Sequence, residues 1–162
     1  MSRVLRVQSV LLLWLPLAGL LAAAEEPSQP RSPTDQPSAA KVEGVVQRLD
    51  GAEVQQFDWG EIRWLISSKV DPKTPLTVGL VEIKPNQSNP LHIHPNCDEC
   101  LHVLAGSCEH RLGEQWFSLK AGDTLRIPKN VVHQARTGQQ PCRAMVVYDT
   151  GAREMVVVDP KK

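Results

Sequence analysis

The residues of this sequence best suited to chemistry are two histidines one residue apart and a glutamate five positions after the second of them. Alternate residues of a β-strand point to the same face, so an extended segment at 91–94 would direct the imidazoles of His92 and His94 to one side. Turn formers at 95–98 then predict a tight reversal that returns the carboxylate of Glu99 to the two imidazoles. Two neutral nitrogens and one oxygen on a rigid hairpin suit a first-row divalent metal such as Mn, Fe, Ni or Zn.

A fourth candidate ligand lies further along the chain. A Gly-Asp turn at 122–123 leads into a short segment, a second turn follows at 128–130, and His133 opens the next segment. Taken singly, a histidine is more often a hydrogen-bonded core residue than a ligand, and a glutamate is usually a solvated charge. Three inward histidines and a carboxylate would each need a partner, at about 1–3 kcal/mol for every unmet group, so the whole set predicts metal ligation.

These two stretches resemble the two signature motifs of the cupin superfamily. Asn130 stands where that family commonly has Gly, but Asn tolerates a left-handed turn nearly as well. The lead-in is longer than usual, because thirteen positions separate the first motif residue from the second. The matching residues are Gly79, His92, His94, Glu99 and Gly106 in the first motif, and Gly122, Pro128 and His133 in the second.

The resemblance implies a fold, a cofactor and a function. It implies an all-β jelly-roll barrel, the double-stranded β-helix, with one divalent transition metal (Mn, Fe, Ni, Cu or Zn) on the four candidate ligands. The amino-acid sequences of both motifs resemble those of small single-domain, quercetinase-like cupins. It therefore implies a metal-dependent dioxygenase or related oxidoreductase for a small organic substrate, with Glu99 as ligand and base. The alternative is a non-catalytic module that binds a metal or a small molecule, because the fold hosts both classes.

The rest of the chain agrees with an all-β domain. No stretch shows a sustained helical period, and many short apolar segments alternate with turn signals. Gly113 and Glu114 are predicted to form a two-residue hairpin turn between two of these segments. Strands are predicted at 42–49, 61–67, 76–83, 107–112, 115–119, 125–127, 132–135, 143–148 and 154–158.

The N-terminal forty residues differ from this pattern. Residues 1–24 carry two arginines and an apolar run and end in three consecutive alanines, which predicts a cleaved secretory signal peptide and hence a periplasmic or secreted protein. The apolar run is shorter than the ~20 residues of a membrane span and contains Pro and Gly, so an uncleaved anchor is disfavoured. Residues 25–40 contain four prolines among polar residues and predict a disordered linker. The cupin domain is expected at 41–162.

Composition limits the partners. Basic and acidic residues balance at 18 each, which gives no reason to expect nucleic acid, and a small molecule is the expected partner. Trp59 and Trp64 are expected either to support a homodimer or to close the end of the barrel. Tyr148, Gln134 and Glu82 are candidates for a further polar group over the metal.

The other two histidines are not expected to be ligands, and apolar side chains are expected around the four candidates. His102 is offset by one from the inward face, and His110 lies in an outer hairpin, so neither is expected at the metal. Leu101, Val103, Leu125 and Ile127 are expected to line the pocket, with Arg126 pointing outward because an unpaired inward guanidinium would be costly.

The four cysteines leave several pairings open. Cys97 and Cys100 form a C-x-x-C around Glu99, which would be either a brace for the turn or two free thiols, with thiolate ligation as the minor alternative. Cys108 and Cys142 are isolated, so no second C-x-x-C completes a four-sulfur zinc site.

Overall fold

The computed structural model describes residues 44–159, which form ten β-strands, one 3-10 helix (Leu49–Gly51) and no α-helix. No helix in this range is long and apolar enough to cross a membrane. The predicted signal peptide and linker lie outside the described residues. The strands are β1 (Glu53–Phe57), β2 (Gly60–Ile66), β3 (Thr77–Ile83), β4 (His92–Ile93), β5 (Glu99–Leu112), β6 (Gln115–Lys120), β7 (Thr124–Ile127), β8 (His133–Arg136), β9 (Cys142–Tyr148) and β10 (Val156–Val157).

All strand pairs are antiparallel, and β5 is the strand that joins them into one sheet. The strand order is β1-β2-β3-β9-β5-β8-β4-β10, while β6 and β7 also pair with β5. The first half of β5 pairs with β7 and β9, and its second half pairs with β6 and β8. One 14-residue strand therefore serves both sides of a curled sheet, and the all-β prediction is confirmed.

The middle of β5 bends at a bulge and a glycine. The register with β9 shifts between Val103 and Ala105, and Gly106 adopts φ +73°. A Cβ at Gly106 would lie 1.9 Å from the carbonyl oxygen of Pro141, so only glycine fits this close approach. Because a bulge adds one residue to one strand, the inward positions change phase. Glu99, Leu101 and Val103 are buried before it, and Cys108 and His110 are buried after it.

Two predictions about strands are wrong. In the described part of 42–49, residues 44–48 are irregular and are followed by the 3-10 helix, whereas the strand that pairs with β2 begins at Glu53. Valine favours β-strands, but the side chain of Val46 is 86% exposed and its segment pairs with no described strand. The hairpin predicted between the segment of His92 and His94 and the segment that begins at Glu99 is also not formed, because β4 pairs with β8 and β10 and not with β5. By contrast, the turn at Gly113 joins β5 to β6 as predicted.

The core lies between β5 and β9. Leu101 pairs in register with Val146 and Val103 with Ala144, and all four side chains are buried. Full burial of a Val or Leu side chain contributes about 1.5–3 kcal/mol, so these pairs fix β5 against β9. The position of Glu99 at the start of β5 is set by this packing.

Candidate metal centre

The structure brings the four predicted ligands together. His92 on β4 lies opposite His133 on β8, Glu99 is the first residue of β5, and His94 follows β4. All four side chains are buried, and one nitrogen or oxygen from each lies within 4.8 Å of the others. Tertiary structure does this by placing β4 beside β8 and by packing β5 across the barrel, since no ladder joins β4 to β5.

Backbone carbonyls orient all three imidazoles. The Nδ1 atom of His92 lies 2.7 Å from the carbonyl oxygen of Pro90, that of His94 lies 2.6 Å from Glu154, and that of His133 lies 2.8 Å from Val131. A carbonyl can only accept, so Nδ1 carries the proton and donates, while Nε2 keeps a lone pair. This is the arrangement in which metal-binding histidines are usually held.

The inward atoms of the cluster lack donors. Nε2 of His94 and of His133 lie 3.1 Å and 3.4 Å from Oε2 of Glu99, and all three atoms are buried without a hydrogen-bond partner. With the proton on Nδ1, each contact sets a lone pair against a carboxylate oxygen. Only a cation between them, an extra proton or a metal ion, satisfies all three atoms. The donor set therefore fits a divalent transition metal.

The electrostatics of the cluster favour the forms that a metal requires. Burial, and then the neighbouring His133, lowers the pKa of His92 to about 3, so its imidazole is neutral at physiological pH. Burial alone would raise the pKa of Glu99, whereas hydrogen bonds from His133 and His94 lower it below its ordinary value in the state in which those imidazoles also carry a proton on Nε2. A histidine binds a metal as the neutral imidazole, and a glutamate binds it as the charged carboxylate.

A small cavity of about 100 Å³ lies against the cluster. Its polar end includes His92, Glu99 and His133, and apolar side chains such as Leu101 form much of the remaining wall. Ile127 is buried and Leu125 half-buried, but neither lines this cavity, and Val103 belongs to the core below it. Arg126 points outward as predicted and pairs with Asp98, whose carboxylate also accepts from the backbone of Lys129 at 2.8 Å.

His110 lies outside the ligand cluster, as predicted, but the prediction that it lies in an outer hairpin away from the site is wrong. Its imidazole is buried, lies nearly parallel to that of His133 at 5.9 Å, and lines the cavity. Burial lowers its pKa to about 4, and Nδ1 donates to the carbonyl of Arg111 at 3.2 Å. The bulge explains the error, because it reverses the phase of β5. His102 precedes the bulge, points away from the cluster and bonds Thr124 instead, as predicted.

Of the three polar candidates, one lines the cavity. Tyr148 is buried opposite Glu99 in register, and its ring meets that of His94 edge-on at 5.0 Å. Burial, and then the charge of Glu99, raises the pKa of Tyr148 well above its ordinary value, so its hydroxyl stays protonated. Gln134 donates to the carbonyl of Asn89, and Glu82 is exposed, so neither lies in the cavity.

All four cysteines are free thiols in this structure, and none joins the cluster found among the described residues. Cys97 is buried and Cys100 is exposed, so these two do not brace the turn as a disulfide here. Cys108 and Cys142 are both buried and line the cavity. A hydrogen bond between their thiols, together with burial, raises the pKa of Cys108 above its ordinary value.

Comparison with known proteins finds a family match over part of the chain. Residues 79–148 match the family described as the cupin domain, and the predicted jelly-roll fold is confirmed. Protein SchB of Streptomyces halstedii is 32% identical over 85 residues, which cover 52% of this chain and 62% of that protein. Germin-like protein 3-7 of Oryza sativa subsp. japonica is 30% identical over 81 residues, covering 46% of this chain and 35% of that protein.

Solved structures show the same fold. Oxalate decarboxylase of Lactobacillus farciminis, in complex with formate, superposes with a TM-score of 0.63 at 23% identity, over 67% of this chain and 34% of that one. Bacillus subtilis oxalate decarboxylase, a protein with Mn(II) centres, gives 0.64 at 20% identity, over 80% of this chain and 37% of that one. This chain thus spans less than two thirds of each relative described here.

Proposed function

We propose that this protein is an exported, metal-dependent oxidoreductase of the dioxygenase type that acts on a small organic substrate. The observation that carries the proposal is the buried set of three Nδ1-anchored histidines and one glutamate, three of which line a cavity. Nε2 of His94, Nε2 of His133 and Oε2 of Glu99 have no hydrogen-bond donor. Export is supported by the signal-peptide pattern of residues 1–24.

The four ligands would hold one divalent ion, which would supply a Lewis acid and, in the case of Mn or Fe, electron transfer with dioxygen. The protein supplies the surroundings. Apolar side chains form much of the cavity wall, and the carbonyl-bound imidazoles hold their Nε2 atoms in place. Glu99 is the candidate base, and the protonated hydroxyl of Tyr148 can donate a hydrogen bond from the cavity wall.

The size of the cavity narrows the substrate. Pockets for drug-sized ligands measure about 300–1,000 Å³, and this cavity measures about 100 Å³. A three-ring flavonol would not fit without rearrangement, so we favour a substrate of only a few heavy atoms over a quercetinase-like one. The second candidate function is a non-catalytic binding module. Besides the ligands and one arginine, the described wall residues offer only Tyr148 and His110 as ionisable oxygen or nitrogen groups. This small number of groups able to transfer a proton is the observation that favours binding without catalysis.

Metal content tests whether the four candidate ligands bind a metal ion. Purified protein is offered Mn, Fe, Ni, Cu and Zn in turn, and the bound metal is measured beside His133→Ala and His102→Ala. We expect near-stoichiometric metal in the wild type and in His102→Ala, and little in His133→Ala, because His102 lies outside the cluster. An equal metal content in all three proteins would contradict the site.

Turnover tests whether the protein is a dioxygenase. The metal-loaded protein is assayed for product and for dioxygen uptake with oxalate, small thiol acids and flavonols. Consumption of a small acid with uptake of dioxygen supports the dioxygenase proposal. Product formed from oxalate without dioxygen uptake would favour a decarboxylase, whereas binding without product favours the module.

A further inference from the structure

One cationic side chain lines the metal-site cavity. Among the described residues, Arg153 is the only Lys or Arg in the cavity wall, which it shares with His92, Glu99 and His133. It belongs to the connection between β9 and β10, is half-buried, and also lines a second pocket that includes Trp64. A permanent positive charge in an otherwise largely apolar wall costs free energy unless neighbouring groups or a bound anion stabilise it.

Two aromatic rings hold the guanidinium. Its central carbon lies 4.9 Å from the ring centre of Trp64 and 5.2 Å from that of Tyr148. The Nε1 atom of Trp64 donates to the side chain of Gln55 at 3.3 Å, and Gln55 also lines the cavity. Contacts with ring faces stabilise the cation without using its N–H donors, which stay available in the plane of the group.

The donors of Arg153 have no acceptor among residues 44–159, where its guanidinium forms neither a hydrogen bond nor an ion pair. Arg136 provides the contrast within the same molecule. It also lies over an aromatic ring, that of Trp116 at 4.0 Å, but it forms an ion pair with Glu109 at 2.6 Å. Arg153 is therefore a positioned cation that lacks an anion.

We infer that Arg153 binds the carboxylate of a small anionic substrate, and the inference rests on the proposed function of the same site. Three neutral imidazoles and one carboxylate around a divalent ion leave one net positive charge, to which Arg153 adds a second. A guanidinium presents two parallel N–H groups that match the two oxygens of a carboxylate. The cavity of about 100 Å³ limits the molecule to a few heavy atoms.

The substrate class that fits is a short carboxylic acid with a second oxygen group, such as a dicarboxylate or a 2-oxo acid. One carboxylate pairs with Arg153, and the second group is directed toward the end of the cavity that contains His92, Glu99 and His133. Arg153 is then a specificity-determining residue. A neutral molecule of the same size would gain much less from it, because its hydrogen bonds to the guanidinium would lack the opposite charge.

Binding measurements test this role without relying on turnover. The metal-loaded protein, freed of excess metal, is titrated with oxalate, with pyruvate and with oxamide, which is the neutral analogue of oxalate. The variants are Arg153→Gln, Arg153→Lys and the matched control Arg136→Gln, which also loses an arginine over a tryptophan but lies outside the cavity wall. Metal content and melting temperature are recorded for each variant.

We expect Arg153→Gln to bind the acids about 10- to 100-fold more weakly than the wild type, the loss typical of a charge-assisted hydrogen bond. Arg153→Lys should bind them several-fold more weakly, because it keeps the charge but not the paired donors, and it serves as the test if Arg153→Gln is unstable. Arg136→Gln should match the wild type, and any binding of oxamide should depend on Arg153 much less than the binding of oxalate does.

Two results would overturn the inference while the proposed function stands. The first is unchanged affinity for the acids in both Arg153 variants at full metal content. The second is a metal-loaded wild type that binds neither oxalate nor pyruvate. A wild-type protein that takes up no metal would instead overturn the proposed function, and the inference would fall with it.

Discussion

Glu99 is predicted to destabilise the metal-free protein while it strengthens metal binding. Its Oε2 atom lies 3.1 Å from Nε2 of His94 and 3.4 Å from Nε2 of His133, and none of the three buried atoms has a donor. With the proton of each imidazole on Nδ1, where it is donated to a backbone carbonyl, these contacts join acceptor to acceptor. Glu99→Gln replaces one carboxylate oxygen by an amide that can donate to an imidazole, and it removes a buried charge.

The size of the effect follows from the unmet groups. A buried polar atom without a partner costs about 1–3 kcal/mol, so one new donor should raise the free energy of unfolding by about 1–2 kcal/mol. For a domain of this length that corresponds to a rise in Tm of about 5 °C. Metal binding should change in the opposite direction. Four-ligand sites bind with about 10–16 kcal/mol, so losing one ligand, here the anionic one, should weaken binding by at least about 100-fold.

The assay is a pair of thermal melts at pH 8, one with chelator and one with metal, for the wild type and for Glu99→Gln. Glu109→Gln is the control, because that exposed glutamate pairs with Arg136 on the surface and should change stability by under about 0.5 kcal/mol. A metal-free Glu99→Gln protein that melts below the wild type would refute the reasoning. It would show that Glu99 is already paired with a protonated imidazole.

Three further predictions concern acid, oxidation and export. The folded pKa of His110 is about 4, against an ordinary 6.5, because the imidazole is buried. Neutral His110 therefore contributes up to about 3 kcal/mol to the free energy of unfolding above pH 6.5, and this contribution is lost as the pH falls toward 4. Chemical denaturation of the metal-free proteins should show a smaller loss of stability over this range in His110→Gln than in the wild type. Oxidised glutathione should convert the Cys108 and Cys142 thiols into one disulfide and be reduced to two glutathione molecules, and peptide mass mapping that instead found both thiols free would contradict this pairing. Protein recovered from the producing cell should begin at or near Glu25 by intact mass, whereas a soluble cytoplasmic form starting at Met1 would contradict cleavage.

Much of the site could be predicted from local sequence. The spacing of His92 and His94, the position of Glu99 shortly after them and the second motif ending at His133 identified all four members of the cluster, because ligand types and their spacing are local features. The predicted hairpin between β4 and β5 was wrong, and tertiary packing brings Glu99 to the histidines. The same short-range rules predicted most of the strands. They also predicted that Arg126 points outward, since a charged side chain avoids an apolar interior.

Tertiary structure decided what these short-range rules could not. His110 faces the cavity because a bulge at Val103–Ala105 reverses the alternation of β5, and its register against β9 determines that shift. The Nδ1 proton of His94 is fixed by the carbonyl of Glu154, 60 residues away. Arg153 reaches the cavity wall because Trp64 and Tyr148, from two other strands, hold its guanidinium. Each of these features depends on contacts between distant segments, which form only when the sheet curls, whereas the ligand types and their spacing were already present in the linear chain.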